Sequence, residues 1–324
     1  MGGALLFVAP LALVVWLFGV FASETAERVD LARDTSTVDV SYAPDVSEET
    51  RTLIARHAPI LALSNADYDP IDARIYFNEA ASTRIAGRCI TELTPRPPAL
   101  AADACITAAA LPRTVTGRTR LDITGLDTPN EPGYKELYDR LAPDYGRVAY
   151  ANVQSQPGTV LINYWLFYFF NFNPADIGNH EGDWERVQVR ILARDVADAL
   201  SYDPRRDPER FSLAISRHRC DSTGSMPIRP WSQAASDGTH PVVFVAYGSH
   251  ANYFEPGFKR PGHDGVQCTV IDNATDERRL KVQPVVIDCA AASPNWLAFP
   301  GGWGAGGPDG PCQHEARDLR LPLR

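Results

Sequence analysis

Residues 159 to 172, TVLINYWLFYFFNF, restrict the fold of this chain more than any other stretch. Side chains alternate across a strand. One face then carries Val160, Ile162, Tyr164, Leu166, Tyr168 and Phe170; the other carries Leu161, Trp165, Phe167 and Phe169, with Asn163 as its polar member. The run is too short to cross a bilayer as a helix, which takes about 20 residues. Its aromatic and β-branched content fits a central strand covered on both sides. A turn at Asn173-Pro174-Ala175-Asp176 follows. NHEGDWERVQVRIL (179–192) then reads as the antiparallel return strand.

The return strand raises a problem of charge. Strict alternation puts Glu181, Asp183 and Glu185 on one face with Val187, Val189 and Ile191. Carboxylates aimed at an apolar interior need a cation, a donor or a proton. Three solutions present themselves: arginine partners such as Arg84, Arg118 or Arg147, a bound divalent metal, or a protonated carboxyl suited to acid–base work. His180 has the opposite parity. It joins Asp183 and Glu185 only if the strand begins irregularly around Gly178 and Gly182.

Further strands are read at FSLAISRH (211–218), PVVFVAYGSH (241–250), VQCTVID (266–272) and LKVQPVVID (280–288). Short helices are read after Ser47, between Pro132 and Pro143, and in RDVADALSYD (194–203). The glycine- and proline-rich FPGGWGAGGPDGPC (299–312) reads as loop. Many short strands with turn signals predict an all-β chain, a β-sandwich or jelly-roll-like domain with a few short helices. One domain is expected over 45–324.

What precedes that domain points to export. From Gly2 to Ala22 no side chain is charged, long enough for one membrane helix, interrupted by Pro10. The segment reads as a signal anchor or as a signal peptide cut before Ser23, followed by a polar tether over 23–44. The chain is then membrane-anchored facing outside the cytoplasm, or secreted. Six cysteines without a CxxC spacing agree with an oxidising compartment. The expected pairs are Cys89–Cys105, closing a short local loop, then Cys220–Cys268 and Cys289–Cys312. The net charge of -9 argues against nucleic acid as a partner. Asn273-Ala274-Thr275 matches a glycosylation sequon.

YWLFYFFN, HEGDWERVQV and HPVVFVAYGSHANYF, in that order, resemble the vacuolar protein sorting-associated protein 62 family. YDP at 68–70 and GGWG…GPDGP at 301–311 match its other landmarks. The resemblance spans about residues 55 to 312 and implies a fold more than a reaction. A more distant resemblance is to the necrosis- and ethylene-inducing toxins, whose GHRHDWE heptapeptide holds a divalent metal in a β-sandwich. Matched position by position, His180, Asp183, Trp184 and Glu185 correspond to its first His, Asp, Trp and Glu. Asp176 stands for an upstream Asp. Glu181 and Gly182 depart from the pattern, which leaves ligand number and charge open.

The ligand set implied is His180, Asp183, Glu185 and Asp176. Oxygen-rich ligands favour Mg²⁺, Ca²⁺ or Mn²⁺. His218 and His250 end their strands as His180 begins its own, and if both bind, Zn²⁺ or Fe²⁺ enters the choice. Ser249 sits in AYGSHAN without a nucleophile elbow. Trp184 reads as a packing residue. Three functions follow: a tethered domain whose metal site binds a glycan or lipid headgroup, a metal-dependent hydrolase with Glu181 as general base, or a structural surface domain without metal.

Overall fold

Ser47 starts the first helix as its sequence context demands: its hydroxyl accepts the Thr50 amide at 3.2 Å. The structure is a computed structural model. It describes residues 45–77, 84–85, 88–89, 91–94, 111, 119–123, 126, 131–173, 178–217, 226–259, 262–263, 266–267, 271–292, 294–304 and 310–313. The apolar N-terminal segment, the tether, Asp176, His218 and the pairs Cys89–Cys105 and Cys220–Cys268 lie wholly or partly outside them. No helix among the described residues is long and apolar enough to cross a membrane.

In chain order, helix α1 (Glu48–Arg56) leads into β1 (Ile60–Leu63). The short strands β2 (Arg84–Ile85), β3 (Arg88–Cys89), β4 (Thr91–Thr94) and β5 (Arg120–Ile123) follow, then helix α2 (Glu131–Tyr145). The long meander is β6 (Val148–Gln156), β7 (Thr159–Asn171) and β8 (His180–Ile191). Helix α3 (Val196–Leu200) separates it from β9 (Phe211–Ile215), β10 (Ile228–Pro230), β11 (Ser236–Asp237), β12 (His240–Val245) and β13 (Asn252–Tyr253). The remainder comprises β14 (Gly257–Lys259), β15 (Gly262–His263), β16 (Val266–Gln267), β17 (Asp272–Ala274), β18 (Arg278–Lys281), β19 (Gln283–Val286) and β20 (Gly302–Trp303).

Two mixed sheets dominate. The larger runs β10-β9-β8-β7-β6-β19, antiparallel except where β19 lies parallel to β6. The expected β7–β8 hairpin is its centre. The second runs β11-β12-β1-β18, with β13 on β12 and β1 parallel to β12. A third, small sheet orders β20-β5-β4. Leu61 and Leu63 of β1, Val243 and Val245 of β12 and Leu280 of β18 join Tyr164, Leu166, Val187 and Val189 in one buried cluster. The two large sheets thus face each other across that core. Alternate residues Ile60, Ala62, Val242 and Phe244 form a separate cluster on the outer face. The chain is a β-sandwich with short helices, as the pattern predicts, but its sheets are mixed.

Several boundaries differ from the sequence reading. LKVQPVVID is two strands: β18 ends in one sheet and β19 starts in the other, with Pro284 on an edge strand where its missing donor costs least. VQCTVID gives only β16 and the start of β17. Helix α2 runs through both prolines that were expected to bound it; Pro132 sits in the first turn and Pro143 in the last. Within the glycine-rich end, Gly302–Trp303 pairs with β5, because the indole of Trp303 is wholly buried. Cys289 and Cys312 form the expected disulfide.

Candidate functional site

The start of β8 decides which carboxylates meet. Its register on β7 runs Asn171↔His180, Phe170↔Glu181, Tyr168↔Asp183 and Leu166↔Glu185 without a slip. Gly182 nevertheless breaks the pleat: its φ is +58°, and a Cβ there would overlap the Trp303 carbonyl oxygen. Glu181 turns toward the β20-β5-β4 sheet as a result. Its Oε2 accepts the Ile123 amide at 3.1 Å, and its Oε1 accepts the Tyr134 hydroxyl. Trp184 packs on the same layer, 5.3 Å from Trp303, which confirms it as a packing residue. Glu181 therefore sides with Trp184 and not with Asp183. The expectation of three carboxylates on one face fails at a single left-handed residue. Glu181 is fully buried, with the Ile123 amide and the Tyr134 hydroxyl among its donors.

Asp183 and Glu185 do share a face, and each is 7% exposed. They look toward the β12–β13 turn. That turn docks on the end of β7 through the Phe172 amide to Gly248 carbonyl bond of 2.8 Å. Gly248 has φ +76°, where a side chain would strike the Phe172 carbonyl. His250, itself left-handed at φ 53°, is wholly buried and lies flat on Tyr168, centroids 4.0 Å apart. Its Nδ1 is 3.1 Å from Asp183 Oδ2 and its Nε2 3.4 Å from Asp67 Oδ1. A carboxylate on each nitrogen keeps both protonated. Burial pulls that imidazole's pKa down, but Asp67 and then Asp183 outweigh it and raise the value to about 9. Glu185 accepts from the Ser216 hydroxyl and from Asn252 Nδ2 at 3.4 Å.

Three buried oxygens in this neighbourhood have no hydrogen-bond partner among the described residues: Asp67 Oδ2, the Tyr168 hydroxyl and Asn252 Oδ1. Burial first, then Asp67, Glu185 and Asp183, raise the Tyr168 phenol far above its ordinary range. Unsatisfied buried polar atoms are rare, and an ion or water often explains them. His180 stands half-buried at the head of the strand. Its Nδ1 donates to the Gly182 carbonyl at 3.0 Å, which in the neutral ring puts the lone pair on Nε2. The turn before it is braced by Asn171 Nδ2 on the Gly178 carbonyl, 3.0 Å, and by the Asn173 amide on Asn179 Oδ1, 2.7 Å. Asp176 lies outside the described residues.

The donor chemistry suits a hard cation, with two carboxylates on one face and a histidine of fixed tautomer nearby. Among the described residues, no three His, Cys, Asp or Glu side chains gather closely enough to form a ligand set by themselves. Arg147 does not serve the β8 carboxylates in the way anticipated; it approaches Asp69, as does Arg278. The Ser249 hydroxyl donates to Asp272 Oδ1 at 2.6 Å. The sequence reading missed Asp67, Tyr168, Ser216 and Asn252. Asp67 stands directly before the YDP landmark and Asn252 two residues after His250, so both were within reach of the motifs.

Fold and site together define a β-sandwich with an acidic, histidine-braced end to its central sheet. No protein-family model matches the chain, so the nearer resemblance, to the vacuolar protein sorting-associated protein 62 family, gains no support. No curated protein matches it either. The solved structures it resembles include necrosis- and ethylene-inducing type proteins, the more distant resemblance. The non-toxic HaNLP3 protein gives a TM-score of 0.38 at 11% identity, covering 82% of this chain and 86% of that one. NLPPya in complex with mannosamine gives 0.33 at 14%, covering 75% of each chain. NLPPya in complex with glucosamine gives 0.32 at 13%, again with 75% of each. At these TM-scores no site or activity passes from those proteins to this chain.

Proposed function

We propose that this chain is a binding domain that holds a divalent cation at Asp183 and Glu185, completed by His180 and Asp176, and uses it to grip a hydroxyl-bearing headgroup. The observation that carries this reading is the set of buried oxygens around those carboxylates, Asp67 Oδ2, the Tyr168 hydroxyl and Asn252 Oδ1, that have no hydrogen-bond partner among the described residues. A cation of the Mg²⁺, Ca²⁺ or Mn²⁺ type supplies positive charge there and draws in water or vicinal hydroxyls. His250 lies against Asp67 and Asp183, and Asn252 against Glu185, so the acidic residues are held together on one face. Saccharides and glycosylated lipid headgroups carry the matching hydroxyls. Amino sugars, which NLPPya binds, are the first probes.

The test is elemental analysis of the untagged protein, followed by calorimetric titration with glucosamine in Mg²⁺, Ca²⁺ or EDTA. The reading requires about one equivalent of metal in wild type, loss in Asp183→Asn and Glu185→Gln, and sugar binding only with metal. Vesicles bearing a glycosylated lipid separate headgroup from free sugar. Equal metal content in all three proteins overturns the proposal and leaves a structural surface domain.

A further inference from the structure

The sequon Asn273-Ala274-Thr275 falls on a two-stranded ribbon of β14 and β17. Phe258 and Asn273 are direct partners across it, so their side chains share a face. Ile271, two residues before Asn273, falls on the same side by alternation. Residues of the other parity turn inward. Asp272 and Ala274 are buried, and Asp272 accepts the Ser249 and Tyr253 hydroxyls. The Asn273 carbonyl accepts the Tyr247 amide at 3.0 Å, which fixes the ribbon beside the end of β12.

Three features of that face point to a covalent substituent. Phe258 is 79% exposed and Ile271 56%. Neighbouring apolar side chains left in water mark a surface that something covers. The half-buried Asn273 side chain lies beside both, and its amide has no hydrogen-bond partner among the described residues. Thr275 Oγ1 is buried, also without a partner among them. A buried hydroxyl that bonds to nothing weakens a fold, and valine has nearly the same shape without that cost. In the sequon the hydroxyl has a chemical use, because glycan transfer requires Ser or Thr two residues after the Asn. We infer that Asn273 carries an N-linked glycan whose first saccharide covers Phe258 and Ile271. The donor is a saccharide on a lipid diphosphate. Asn273 Nδ2 attacks the anomeric carbon, the N–C bond forms and the C–O bond to the diphosphate breaks. The lipid diphosphate leaves, and one amide proton passes to a base of the transferase. Since folding encloses Thr275 Oγ1, transfer precedes the closure of β17 on β12.

The test is peptide mapping by mass spectrometry of the full chain, purified from the cells that make it. The peptide containing Asn273 should carry a saccharide mass, and peptide N-glycosidase in heavy-oxygen water should convert Asn273 to labelled Asp. In the same cells Thr275→Val should lose the saccharide completely and Thr275→Ser should keep it, a rescue that a purely structural hydroxyl does not give. A melting midpoint of Thr275→Val equal to or above that of Asn273→Gln shows that the loss is not misfolding. The wild-type map stands whether or not either variant folds. Fluorescence of 8-anilinonaphthalene-1-sulfonate should rise when the glycan is removed, and the rise should vanish in Phe258→Ser. An unmodified Asn273 in the native protein overturns the inference, as does a saccharide that survives Thr275→Val. Unchanged dye fluorescence overturns the covering of Phe258 and Ile271. Metal content enters none of these readouts, so the outcome is independent of the cation site.

Discussion

Two single side chains show how burial sets chemistry in this molecule. His57 is wholly buried against Phe211 and Trp231, with Nδ1 on the Thr239 carbonyl at 3.0 Å. Burial lowers its pKa from 6.5 to about 4. Between those values the unfolded chain binds the proton and the folded chain does not, so stability falls as pH drops through that window. The loss amounts to about 3 kcal/mol below pH 4. Urea titrations from pH 7 to 4 should show a shallower decline in His57→Gln than in wild type; parallel declines would remove this residue from the pH response. Glu181 is fully buried too, and donors hold its carboxyl group. Tyr134→Phe removes one of them and should cost about 1.5–3 kcal/mol in equilibrium unfolding. A smaller loss would mean that the interior repacks around the carboxylate.

At the scale of elements, one residue of β8 sorts the carboxylates between two layers. Gly182→Ala forces a side chain into a left-handed position against the Trp303 carbonyl. It should destabilise by about 2 kcal/mol or more. If Asp183 is displaced with it, metal content falls too, and elemental analysis of the variant reads that directly. The 310–313 segment is tied to the end of β19 by the Cys289–Cys312 bond across 23 residues. Replacing both cysteines by serine should cost about 3 kcal/mol in the chain-entropy account. A melting midpoint unchanged in the double variant would show that the loop is held by its packing instead. Both elements behave as local rules predict once their partners are known: Gly182 as a glycine in a strand, the cysteines as a pair that closes a loop.

For the whole molecule, the sandwich places the proposed cation site at one end of its large sheet and a cavity of about 750 Å³, beside residues 152 to 156 of β6, at the other. Sites without shared partners act additively. Metal at 100 times its dissociation constant should raise stability by about 2.7 kcal/mol, and by the same amount in Val153→Trp. An altered increment there would reveal coupling through the sheet. Much of this architecture was legible beforehand. The two-faced apolar run of β7 implied a covered central strand, the Asn-Pro turn implied its return, and Ser47 marked a helix start. Asp183 and Glu185, two residues apart on a strand, had to share a face. Local periodicity cannot report which strand lies across a core or what a turn brings back over it. The mixed order of the sheets, the eviction of Glu181 by a left-handed glycine, and the clamp of His250 between Asp67 and Asp183 all depend on contacts between residues far apart in the chain. Those contacts form only when the two sheets close, and tertiary structure alone decided them.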